Sequence, residues 1–169
     1  MAEQYGSLNK LRTEIINKLM TNQNLLKFLF YTTDSDITLQ PNVSREVRKN
    51  IKDKQIIEHF RVNIALESEQ ICYISLDFGR IPRSPEGFWM KPSFSFFIIC
   101  PESLLETQNG SRILAIEQCI MDTFDGCLDL GNRGSVVRVT NSENISGVSS
   151  PYQSRRVDMT MVDYVRLNK

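Results

Sequence analysis

Few residues in this chain have the types and spacing that chemistry requires. His59 is the single histidine. Ser-His-Asp or Cys-His catalysis would have to pass through it, and no nucleophile stands near it in the sequence. The four cysteines, Cys72, Cys100, Cys119 and Cys127, form no C-x-x-C pair. A structural zinc site normally uses close-spaced ligand pairs, so buried free thiols are expected instead. Asp122, Asp125 and Asp129 could offer three carboxylates to Mg²⁺, but Gly126 interrupts the helix that would align them. Neither G-x-x-x-x-G-K-[ST] nor G-x-G-x-x-G occurs, so no phosphate cradle is expected. A sheet-based nuclease would often carry a Glu-x-Lys motif, and the chain has none. It therefore reads as a non-enzyme, with no catalytic residues, cofactor or metal.

The bulk properties set the frame for those residues. At 169 residues the chain suits one domain, 1–169. A hydrophobic fraction of 41% is enough to build a core without disulfide or metal staples. Basic and acidic residues balance at 20 each, which excludes a global field for nucleic acid or an anionic membrane. No apolar stretch approaches the roughly 20 residues that cross a bilayer. The start, Met1-Ala2-Glu3-Gln4-Tyr5, lacks the order of a signal peptide, so synthesis in the cytoplasm is expected. On that expectation the Asn-x-Ser matches at Asn42, Asn109 and Asn144 carry no meaning.

The elements follow from periodicity. Phe94-Ser95-Phe96-Phe97-Ile98-Ile99-Cys100 is short, apolar and ended by Pro101, the mark of a buried strand. Ile113, Ile116, Ile120 and Phe124 then fall at helical spacing, with Ser111 placed to cap the start and Gly126 to end the helix. Ser7 is placed to cap an N-terminal helix whose stripe is Leu8, Leu11, Ile15, Ile16 and Leu19. A second short helix, Leu25 to Phe30, is expected with Asn24 as its cap. Tyr31 to Val43 reads as an extended loop, and Ser44 to Lys54 as a charged surface helix.

Residues 60–66 alternate with period two, and Ile71 to Leu76 follow after four residues, which predicts an antiparallel hairpin. Residues 79–91 predict a long loop carrying Phe88 and Trp89, a candidate contact surface. Ser135 to Val139 and Val157 to Val165 predict strands, joined by a long Ser-, Asn- and Gly-rich loop over 140–156. The fold class is α+β: a mostly antiparallel sheet of about five strands, one main helix packed on it, and an N-terminal helix.

The order of these segments resembles small neck and tail-completion proteins of tailed bacteriophages. The resembling stretches are Leu25-Leu26-Lys27-Phe28-Leu29-Phe30-Tyr31-Thr32-Thr33-Asp34, the proline loop after it, the strand Phe94 to Cys100, and the helix from Arg112 to Asp125-Gly126. The resemblance implies a tail terminator: a structural virion protein forming a ring, usually a hexamer, that caps the tail tube and mediates head–tail joining. The implied partners are other copies of itself, the tail tube protein and a head connector or adaptor, with DNA in transient passage and no membrane. The implied place is the tail or neck of the virion. Arg138, Arg155 and Arg156, with Phe88 and Trp89, would then be interface or lumen residues. The alternatives are a head-completion or adaptor protein, and a small phage nucleic-acid-binding protein or nuclease.

Overall fold

The computed structural model describes residues 2–33, 35–58, 70–79, 92–128, 130, 135–145 and 151–163. Three helices come first: α1 (Ala2–Leu19), α2 (Gln23–Phe30) and α3 (Arg45–Gln55). Strands β1 (Ile56–Glu58), β2 (Tyr73–Phe78) and β3 (Ser93–Pro101) follow. A two-residue hairpin pair, β4 (Glu106–Thr107) and β5 (Gly110–Ser111), leads into α4 (Arg112–Phe124). The long strands β6 (Ser135–Asn144) and β7 (Tyr152–Asp163) complete the order. The main sheet runs β1-β2-β3-β7-β6. Its pairs are antiparallel except β1 with β2. The α+β class with a five-stranded, mostly antiparallel sheet is as expected.

The core lies between the helices and one face of this sheet. Phe94, Phe96, Ile98 and Cys100 alternate toward the helices and are fully buried. Ile116, Ile120 and Phe124 of α4 are fully buried against them. The Phe124 ring stacks on Phe96 at 5.2 Å and meets Phe94 edge-on at 6.2 Å. Truncating Ile116 to alanine is expected to cost about 3 kcal/mol, the usual range for a cavity in such a core. An unchanged urea midpoint would contradict that packing.

Helix ends are fixed by specific groups. Asn22, and not Asn24, caps α2: its Oδ1 accepts from Leu25 N at 3.1 Å. Its amide also donates to Cys119 O and Thr123 Oγ1 of α4, so one side chain sets both helices. α1 runs through Ser7, which therefore is not its cap. Ser111 holds the cap position of α4 but makes no capping hydrogen bond with its side chain. Gly126 takes φ +77°, the left-handed turn expected after α4.

The long loop expected over 140–156 is corrected by the structure. β6 extends to Asn144 and β7 begins at Tyr152. Backbone pairing, and not apolar content, holds these residues in strand: Asn144 lies opposite Arg155 and Glu143 opposite Arg156. The hairpin expected with residues 60–66 lies outside the described residues. So does the loop over 79–91, except Gly79. An additional feature is β1, whose three residues leave α3 directly and pair parallel to β2.

Candidate interaction surfaces

The β6–β7 hairpin carries three of the five residues expected at an interface. A β-bulge in β6 decides which residues of that strand lie beside them. Val137 and Val139 face the core, opposite Met161 and Met159. The register then shifts between Val139 and Asn141, with Thr140 as the extra residue. Thr140 Oγ1 donates to Asp158 O at 3.1 Å across the bulge. Beyond it the alternation is inverted, so Ser142 and Asn144 face α4 in place of the odd-numbered residues.

Arg155 lies on that same face and is drawn onto α4. Its Nε sits 2.7 Å from Glu117 Oε2, and its Nη2 donates to Glu117 Oε1 at 3.1 Å. The Nη2 contact is the hydrogen bond of the pair; Nε lies close to the carboxylate without hydrogen-bond alignment. Arg155 also donates to Ser142 Oγ at 3.0 Å and to Asn144 Oδ1 at 2.8 Å, and Ser142 Oγ donates to Glu117. Both side chains are largely buried. The arrangement bolts the outer hairpin to the main helix.

Arg156 lies on the opposite face. Its Nε donates to Asp158 Oδ1 at 2.6 Å, and its guanidinium stands 5.7 Å from the centre of the Phe97 ring. Asp158 Oδ1 also accepts from Ser95 Oγ at 2.5 Å. Arg138 is half-exposed on β6, with Nη1 3.9 Å from Asp125 Oδ1. The three arginines therefore do not make one patch. Arg155 and Arg156 point to opposite faces, and each of the three has a carboxylate beside it. Phe88 and Trp89 lie outside the described residues.

The residues considered for chemistry are placed as follows. Asp122 accepts from Gln118 Nε2 at 2.7 Å, and Asp125 accepts from Val139 N at 3.2 Å. Asp129 and His59 are outside the described residues. Among the described residues, no group of three His, Cys, Asp or Glu side chains is placed to hold a metal ion. All four cysteines are free, with Cys72 and Cys100 buried as expected. Their sulfurs lie 2.9 Å apart. The contact with Cys100 and burial push the Cys72 thiol up. Burial, with the Asp122 carboxylate adding to it, pushes Cys119 up to about 11.

The thiolate is the reactive form, so the Cys72 and Cys119 thiols should be slow, and burial shields Cys100 from the reagent. Brief iodoacetamide treatment of the native protein near neutral pH is expected to leave Cys72, Cys100 and Cys119 unmodified by peptide mass. Urea should expose all of them. Rapid native labelling of Cys119 would contradict its raised pKa. The same shift makes the neutral Cys119 thiol a source of stability below pH 9. That contribution is lost as pH rises from about 9 toward 11.

A polar hub stands at Arg112, which the sequence reading did not single out. Its residue is 1% exposed. Nε donates to Leu104 O at 2.7 Å, and Nη1 donates to Phe28 O at 2.9 Å and to Tyr31 O at 2.5 Å. Nη2 reaches Thr33 O at 3.4 Å. The cation thus satisfies carbonyls at the C-terminal end of α2 and beyond, where the helix dipole favours positive charge. One signal was present in the sequence: Arg112 opens α4, where a cation opposes that helix's own dipole. Glu117 carried a similar signal, a carboxylate on the apolar stripe of Ile113, Ile116 and Ile120.

No helix among the described residues is long and apolar enough to cross a membrane. No curated protein shows a significant match to this chain. A family model does match, over residues 22–161, from the cap of α2 to near the end of β7. The chain belongs to that family, YomW, a phage-derived family.

Proposed function

We propose that the chain is a structural subunit of a phage virion, a tail terminator that assembles into a ring at the head-proximal end of the tail tube. The observation that carries the reading is the β6–β7 hairpin. It is long, its strand β6 ends in the exposed polar residues Glu143 and Asn144, and the Glu117–Arg155 pair fixes it to α4. β6 is the edge of the sheet, and Arg138, Thr140, Asn141, Glu143 and Asn144 are exposed along it. An edge strand offers unpaired backbone groups to a neighbour. A stiff edge suits repeated subunit contact better than a mobile loop, because little ordering entropy is lost on assembly.

The mechanism is mechanical. Copies join side by side, most simply as a hexamer, cap the tube protein and present their other rim to the head connector. DNA passes through without strong binding. The half-exposed Arg138 is the cation on this hairpin best placed for weak phosphate contact. Membership of a phage-derived family supports this setting. Electron microscopy of the purified protein mixed with its tail tube protein tests it. Ring-shaped caps on tube ends are the expected result. Bare tube ends with the protein remaining monomeric would count against it.

A further inference from the structure

Cys72 and Cys100 stand opposite each other across β2 and β3. The register Tyr73↔Ile99, continued by one residue, pairs them directly. Directly opposite residues of an antiparallel pair have Cα atoms about 4.5 or 5.5 Å apart, and both spacings fall within the roughly 4.4–6.8 Å that disulfides use. The two side chains lie on one face of the sheet, with Ile74, Leu76, Phe96 and Ile98 in the core. Their sulfurs are 2.9 Å apart, and an S–S bond is about 2.0 Å long, so closure asks for less than about 1 Å of side-chain movement.

Both backbones are fixed where the thiols meet. Gln55 Nε2 donates to Cys72 O at 2.9 Å, and Cys100 is also in register with Gln153 of β7. All four cysteines of the chain are among the described residues, so no other thiol competes unseen. Cys119 lies on α4, and Cys127 lies in the turn after it, where its carbonyl accepts from Val137 N. Contact with Cys100 and burial push the Cys72 thiol up, while the Arg112 charge favours its thiolate. Exchange is therefore slow in the closed fold and proceeds as the sheet opens.

We propose that Cys72 and Cys100 form a reversible cross-strand disulfide, closed by a small disulfide oxidant of the glutathione class and opened by the corresponding thiol. The thiolate of one cysteine attacks a sulfur of oxidised glutathione. The glutathione S–S bond breaks, and the proton lost by the cysteine ends on the departing glutathione. The second cysteine's thiolate then attacks the protein sulfur of the mixed disulfide and releases the second glutathione in the same way. Two protein thiols give up two electrons, and one oxidised glutathione becomes two reduced ones. The bond closes residues 72–100 into a loop, so it restricts the unfolded chain and leaves the sheet register unchanged. For a virion subunit, as proposed above, leaving a reducing cell would favour the closed form, but the chemistry does not rest on that reading.

The test holds the reduced full chain for several days in oxidised glutathione at mildly alkaline pH. A second sample is refolded from urea in the same mixture, so burial does not limit the outcome. Both are quenched in acid, alkylated in urea and mapped by peptide mass. A linked Cys72–Cys100 peptide is expected, lighter than its two reduced parts by the hydrogens lost. The melting temperature should rise by about 5–10 °C and fall back with dithiothreitol. Cys72→Ala and Cys100→Ala, each compared with its own dithiothreitol-treated form, should show no rise. Free Cys72 and Cys100 thiols in both samples would overturn the proposal. So would glutathione retained on either residue, a bond from either to Cys119 or Cys127, or a rise that survives in both variants. A bonded protein that melts no higher than the reduced one would overturn it as well.

Discussion

Replacing Arg112 with leucine is expected to lower the unfolding free energy by about 4 kcal/mol. Nearly all of the residue is buried, and it bridges carbonyls of Phe28, Tyr31, Thr33 and Leu104. Leucine fills much of the volume but leaves those acceptors without donors in a site that water reaches poorly. Each buried polar group orphaned this way costs roughly 1–3 kcal/mol. The removed charge returns some of that, because its own desolvation penalty disappears. Arg112→Lys should lie between leucine and the parent protein. A lysine keeps the charge but cannot span four carbonyls with one ammonium. Urea unfolding with an unchanged m-value measures all three. A leucine variant as stable as the parent would show that the α2 end does not depend on the guanidinium.

Glu117→Ala is expected to cost a similar amount, about 3–5 kcal/mol, because it strands Arg155 in a largely buried position. The informative comparison is the double variant Glu117→Leu with Arg155→Leu. Removing both charges removes both desolvation penalties, so the double variant should lose far less than Glu117→Ala alone. Raising the salt concentration should change the single-variant cost little, since buried pairs are weakly screened. If the double variant is as unstable as the single, the hydrogen bonds that Arg155 makes to Ser142 and Asn144, and not its pairing with Glu117, carry the stabilisation. This pair bears on function because it decides whether β6 is a stiff edge or a loose arm.

Periodicity reveals α4 and β3 because both are buried on a defined face. Ile113, Ile116, Ile120 and Phe124 can only be explained by one helical stripe, and Phe94 to Cys100 by a covered strand. It fails at the outer half of β6. There Thr140, Asn141, Glu143 and Asn144 are exposed, so no apolar alternation marks a strand that is held by its ladder and its bulge. β1 is hidden for a different reason: three residues leave a helix and pair with a strand whose partner position is distant in sequence. The cap of α2 falls within one polar run, where Asn22 and Asn24 look alike until α4 supplies partners for Asn22.

The site was less legible than the fold. Arg138, Arg155 and Arg156 lie near one another in the hairpin, but strand alternation along β7 sends the consecutive Arg155 and Arg156 to opposite faces. Only the three-dimensional pairing with Glu117 and Asp158 shows that these two cations are held by nearby carboxylates. Arg112 and Glu117 were visible as charges in awkward helical positions. Most of their partners come from α2 and its C-terminal end and from the β6–β7 hairpin, which the sequence places far away.

If the subunit ends the tail, as proposed, tail length in its absence is the most direct readout. Particles from a phage carrying a deletion of this gene can be measured by electron microscopy. Tails of broadly varying, mostly excessive length that fail to join filled heads are expected. Tails of uniform normal length on infectious particles would contradict it. Normal tails beside heads that have lost their DNA would also contradict it, and would assign the subunit to head completion.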